Sequence, residues 1–153
     1  LVSAFTVSSG GTSDYGPEML HSAAAGKPYA CFVDADTRIS FMAMPDAIKS
    51  LLMLMTAPFK NLSSQVYNIA AFSLTAGEFR QRTLAAFPEA QITFAPNPRR
   101  QGIVDSWPEE VDDSLALKDW GWKPDYDVNK FFDEYFLPEI KKRYQKPSTR
   151  TIE

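Results

Sequence analysis

The residues best suited to polar chemistry are gathered in one short stretch, Gly10-Gly11-Thr12-Ser13-Asp14-Tyr15. Two glycines permit close approach and unusual φ/ψ. Two hydroxyls, a carboxylate and a phenol follow, and a helical pattern begins at once. Ser13 or Asp14 can cap that helix, and Pro17 suits its first turn. A polar loop feeding a helix N-terminus presents outward N–H groups that favour an anion. Taken alone, the stretch also reads as an ordinary loop with a helix cap. Other chemistry is sparse. Cys31 is the only cysteine, which leaves no intramolecular disulfide or thiolate cluster, and it is expected in the core rather than as a nucleophile. His21 is the only histidine, which argues against a His-rich metal site or a His-based triad. It is expected at the surface or half-buried. No metal site is expected.

The elements that must position this stretch follow from pattern. At 153 residues, 44% hydrophobic and 23% charged, the chain suffices for one domain with a core. A net charge of −3 argues against nucleic acid or an anionic membrane as the main partner. No apolar run approaches the ~20 residues of a membrane span. The start at Leu1 has neither a basic n-region nor an apolar h-region, so it does not read as a signal peptide. It reads as a chain entered partway through. A helix is expected over residues 14–25, ended by Gly26 and Pro28. Strands are expected at 29–33, 38–44, 65–70 and 91–95, with a turn at 34–37. A helix over 47–56 has Ile48, Leu51, Leu52 and Met55 as its apolar face, with its methionines as core filler.

Thr75 and Glu78 have the spacing of a capping box, opening a helix that runs to Phe87. Pro96-Asn97-Pro98 reads as a Pro-rich turn, followed by Arg99, Arg100 and Gln101. Trp107 lies in the turn Asp105-Ser106-Trp107-Pro108. Asp112-Asp113-Ser114 caps a short helix that ends at Trp120-Gly121-Trp122. The last helix, 128–144, places Phe131, Phe132, Tyr135, Phe136 and Ile140 inward, with Pro138 expected to bend or break it. The tail 145–153 is polar, aperiodic and expected to be disordered. No G-x-G-x-x-G follows a strand and no G-x-x-x-x-G-K-[ST] occurs, so the residues form an α/β or α+β piece without a nucleotide loop of their own.

Four stretches in this order resemble one family: Gly10 to Tyr15; Phe41-Met42-Ala43-Met44-Pro45-Asp46-Ala47-Ile48; Arg100-Gln101-Gly102-Ile103-Val104-Asp105-Ser106-Trp107-Pro108; and Asp112-Asp113-Ser114 through Asp119-Trp120-Gly121-Trp122-Lys123-Pro124. They resemble the C-terminal half of the L-threonine 3-dehydrogenases of the extended short-chain dehydrogenase/reductase type, relatives of UDP-galactose 4-epimerase. The likeness runs over residues 1–136, leaving 137–153 as a helix end and tail. It implies an α/β fold: the last strands of a Rossmann sheet plus a small α+β substrate domain. It implies NAD as cofactor, L-threonine as substrate, 2-amino-3-oxobutanoate as product, and a homodimer of the full-length enzyme. The compartment it implies is mitochondrial in a eukaryote and cytoplasmic in a bacterium. The Gly-rich loop and the catalytic Tyr-x-x-x-Lys pair belong to the family's N-terminal half, so no catalytic residue is expected here.

The resemblance also assigns roles. Asp14 faces the substrate ammonium, and Thr12, with Gly11, Ser13 and nearby amides, holds the carboxylate. Trp107 either walls the pocket or packs as a core tryptophan. Leu1 touches the nicotinamide side of the cofactor through its backbone. Arg100 stands where related nucleotide-sugar enzymes bind phosphate. Threonine has none, so a structural ion pair or a lid contact is expected there. Trp120 and Trp122 are expected to be structural. Ala43 departs from the tyrosine common in the family, whereas Pro45-Asp46 agrees with its threonine-oxidising members. A nucleotide-sugar epimerase or dehydratase, and a non-enzymatic α+β interaction module, remain the competing readings.

Overall fold

The computed structural model describes residues 1–7 and 10–145. The loop at 10–14 runs into helix α1 (Tyr15–Ala24), which Gly26 terminates at φ +65°. Strand β1 (Tyr29–Cys31) follows and pairs in parallel with β4 (Ile92–Phe94), Tyr29 opposite Ile92. Strand β2 (Arg38–Phe41) pairs antiparallel with β3 (Phe72–Thr75), Arg38 opposite Thr75. Helix α2 (Met44–Thr56) links β2 towards β3, and α3 (Ala76–Ala86) links β3 to β4. The rest is helical: α4 (Pro98–Val104), α5 (Ser114–Trp120), α6 (Val128–Lys130) and α7 (Leu137–Tyr144), the last two joined by a π-helical stretch at Phe131–Phe136.

The core lies between α1, α3 and the C-terminal aromatics. Tyr15, Met19, Phe79, Phe131, Phe132, Phe136 and Ile140 are fully buried there. Phe79 meets Phe132 at 5.0 Å between ring centroids, and Phe41 stacks on Phe72 at 6.1 Å. Cys31 is buried in this core, as expected. The capping box forms as its spacing requires. Thr75 Oγ1 accepts from the Glu78 N–H at 3.0 Å, and Glu78 Oε2 accepts from the Thr75 N–H at 2.7 Å.

Several expectations need correction. Residues 65–70 are not a strand; the β-paired segment is 72–75. A strand exists only where a neighbour accepts its ladder, and none of the described residues pairs with 65–70. The α2 face of Ile48, Leu51, Leu52 and Met55 is apolar as read, yet Ile48 is 53% and Met55 74% exposed, so Met55 fills no core. Its period marks the face correctly, but no layer among the described residues covers it. No helix is expected after the Pro96-Asn97-Pro98 turn, yet residues 98–104 form α4: Pro98 occupies its first turn, and the Asn97 side chain accepts from the Arg99 and Arg100 N–H groups at 3.1 Å. Pro138 does not break the last helix. The π-helical stretch just before it bonds Leu137 N–H to Phe132 O, and this widened turn accommodates the ring. His21 is buried, only 4% exposed, rather than at the surface. The expectation for the tail falls, beyond Gln145, outside the described residues.

Candidate substrate-binding site

The Gly10–Asp14 loop is built by close backbone approach. Gly10 has φ +91°, in the left-handed region. A Cβ on Gly11 would lie 2.7 Å from Asp14 Oδ2, so any larger residue would push the Asp14 carboxylate from its place. The approach lets the Gly11 N–H donate to Asp14 Oδ2 at 2.8 Å, while the Asp14 N–H donates to Gly11 O at 3.2 Å. Asp14 stands at the N-cap position of α1, but its side chain makes no capping bond. The expected cap is therefore positional only: the carboxylate is turned back over the loop. Thr12, Ser13 and Asp14 are half-buried, and Gly11 is exposed. The phenol of Tyr15 points away from this group into the core, edge-on to Phe32 and Phe41 at 6.1 Å each. Burial raises its pKa, and its hydroxyl has no partner among the described residues.

Arg100 secures the loop from the opposite side. Its Nη2 donates to Gly11 O at 2.5 Å, and its guanidinium lies over the Phe32 ring. Among the described residues the ion pairs are Arg38–Glu78 and Lys49–Asp125, so Arg100 takes part in neither the expected structural pair nor any other. Helix α4 is in turn locked onto the 34–37 turn by Gln101. The Asp34 N–H donates to Gln101 Oε1 at 2.8 Å, and Gln101 Nε2 donates to Thr37 Oγ1 at 2.8 Å. The sequence reading assigned Gln101 no role. The Asn97-Pro98 pair was the available signal, because it starts the helix that aims both Arg100 and Gln101.

Trp107 follows α4 and is 40% exposed, so it is not a packed core tryptophan. It lines a groove of about 580 Å³ with Asp34, Asp36, Arg38, Gln101 and Glu109. Residues 10–14 do not line that groove, so α4 is what connects Trp107 to the loop: Arg100 in its first turn, Trp107 beyond its last. Leu1 is 74% exposed, and its neighbour Val2 is held by bonds to Met42 O and from the Met44 N–H, both at 2.9 Å. Trp122 is buried, with its Nε1–H donating to Asp113 Oδ2 at 3.1 Å.

Although the catalytic Tyr-x-x-x-Lys pair is expected in the family's N-terminal half, Tyr126 and Lys130 have that spacing here. Their geometry does not make them a catalytic pair. That pairing needs both residues one turn apart on one helix face. Tyr126 precedes the N-cap, Asp127, which is extended at ψ 179°, and Lys130 lies inside the helix. Tyr126 instead packs on Tyr135, ring centroids 5.4 Å apart, and its N–H donates to the buried Asp46 carboxylate at 3.1 Å.

The parallel β1–β4 pair with helices between its strands is a mixed α/β arrangement that matches the C-terminal part of Rossmann-type proteins. No family model matches the chain. Relatives at 38–42% identity are named L-threonine 3-dehydrogenases, and others at 32–33%, from Staphylococcus species, are named epimerase/dehydratases. The mitochondrial L-threonine 3-dehydrogenase of Bos taurus is 42% identical over 84% of this chain and 34% of its own length. The L-threonine dehydrogenase of Cupriavidus necator, in its apo form, superposes with a TM-score of 0.82 at 37% identity, over 92% of this chain and 49% of that one. A UDP-glucose 4-epimerase of Thermotoga maritima shares the fold, with a TM-score of 0.70 at 15% identity over 84% of this chain and 39% of that one. The chain thus spans about a third of the length of its curated relatives.

Proposed function

We propose that the whole protein oxidises the 3-hydroxyl of L-threonine to 2-amino-3-oxobutanoate, with NAD+ accepting the hydride, and that the present residues hold the amino acid. The observation that carries this reading is the Asp14 carboxylate. It is pinned by the Gly11 N–H at the mouth of α1, in a chain homologous to threonine dehydrogenases. An ammonium beside Asp14 gains a charge-assisted hydrogen bond. The adjoining carboxylate of the same substrate finds the Thr12 and Ser13 hydroxyls at the N-terminal end of α1. Trp107 lines a neighbouring groove and is tied to this loop only through α4.

The residues described do not build a dinucleotide site. They contain no glycine-rich strand-to-helix turn, and Leu1 is the single contact assigned to the nicotinamide side. In this reading hydride and proton removal belong to residues outside this chain, and the homodimer is assigned to the whole enzyme. The compartment follows the source: mitochondrial as in the bovine relative's name, cytoplasmic in a bacterium. No helix among the described residues is long and apolar enough to cross a membrane.

Against the nucleotide-sugar alternative, Arg38 is committed to Glu78 and Ser73 O, and Arg100 to Gly11 O and Phe32. That leaves the exposed Arg99 as the remaining arginine such a groove could draw on. The deciding experiment follows NADH absorbance when the full-length protein meets NAD+ and L-threonine, with UDP-sugars screened in parallel. Threonine-dependent NADH formation is expected. UDP-sugar turnover without threonine oxidation would overturn the reading.

A further inference from the structure

Three consecutive residues upstream of the Gly10–Asp14 loop have backbone groups taken up by side chains far away in sequence. The Ala4 N–H donates to Tyr135 Oη at 3.0 Å, and Ala4 is buried. Phe5 O accepts from Arg143 Nη2 at 2.9 Å. Thr6 O accepts from His21 Nε2 at 3.2 Å, and His21 Nδ1 meets Tyr144 Oη at 3.1 Å. A carbonyl only accepts, so Nε2 carries the proton and Nδ1 accepts from the Tyr144 hydroxyl. Aromatic edges close the arrangement: Phe5 on Tyr135 at 6.4 Å, and His21 on Phe136 at 6.2 Å and Tyr144 at 5.8 Å.

We infer that Tyr135, Arg143 and the His21–Tyr144 pair are positioning residues that make the placement of the Gly10–Asp14 loop depend on the C-terminal helix. Ordinary loop backbone spends such groups on water. Here every residue of the tripeptide is taken by a different side chain, two of them from the π-helical stretch and α7. Four peptide steps of at most ~3.6 Å each keep Gly10 within about 14 Å of Thr6, so fixing residues 4–6 confines the loop. Arg100 then fixes Gly11 from the other side. The loop is held between α4 and α7, and among the described residues α7 makes no hydrogen bond to those assigned to threonine. The link to threonine rests on the function proposed above; the clamp itself does not.

The test is amide hydrogen exchange on the full chain with Arg143→Met and Tyr144→Phe. Arg143 is exposed, and the phenylalanine keeps the Tyr144 ring, so both variants fold; exchange in α3 serves as the internal check. Exchange over residues 4–14 is expected to quicken about fivefold for each bond lost, with α3 unchanged. Arg143→Lys should restore protection in part. Unchanged exchange over 4–14 in both variants would overturn the inference. In the full-length enzyme, the same variants should raise KM for threonine several-fold with kcat held. Faster exchange with an unaltered KM would uphold the clamp and count against threonine binding at this loop.

Discussion

Asp14→Asn separates the roles available to this carboxylate. An asparagine keeps one oxygen able to accept from the Gly11 N–H, which Asp14 Oδ2 now does at 2.8 Å. It places an amide N–H, or a neutral oxygen, where the negative charge faced the ammonium. The loss is then that of one charge-assisted hydrogen bond in a half-buried site, about 1.5–3 kcal/mol, or roughly 10- to 150-fold in kcat/KM for threonine. Because the side chain makes no capping bond to α1, thermal stability should move by no more than about 0.5 kcal/mol. Steady-state kinetics of the full-length enzyme, with a melting curve of the same preparation, checks both halves. An unchanged kcat/KM would refute the ammonium contact. A large fall in melting temperature would show that Asp14 serves the helix instead.

Arg100→Lys should raise KM for threonine and cost about 1 kcal/mol of stability, since an ammonium cannot at once reproduce the Nη2 bond to Gly11 O and the planar stacking on Phe32; kinetics and urea titration measure the two. Asp46→Ala should cost about 2–4 kcal/mol in chemical denaturation, because it strands the Asp125 and Tyr126 N–H groups now bound at 2.8 and 3.1 Å. Burial, with the nearby Arg143 charge also opposing protonation, holds the His21 pKa below its ordinary value despite the Thr6 carbonyl. Below pH ~6.5 the unfolded chain takes up a proton that the folded chain resists. Stability should therefore fall as the pH drops from that value towards the folded pKa. Denaturation midpoints for wild type and His21→Gln across pH 5–8 test this, and the slope should shrink in the variant.

Features set by a few neighbouring residues were legible in advance. The Thr75/Glu78 capping box, the end of α1 at Gly26, the turn at Asp34–Thr37 and the αL residue Gly121 after Trp120 depend on contacts within four residues. The inward aromatics of 131–140 follow from period alone, because a helix with one apolar stripe has one way to bury it. The glycines and Asp14 likewise marked the loop before its geometry was known.

What required the tertiary structure was everything decided by a partner distant in the chain. The β-prone run 65–70 stays unpaired because pairing is a property of two segments. Ile48, Leu51, Leu52 and Met55 are apolar but exposed, since a hydrophobic stripe says that a face wants cover and not what covers it. Tyr126 and Lys130 match a catalytic spacing, yet an extended Asp127 removes them from a common helix face. Arg100 and His21 show the same limit most clearly. Their side chains could reach many partners, and only the folded chain brings Gly11 O and Thr6 O to them, 89 and 15 residues away.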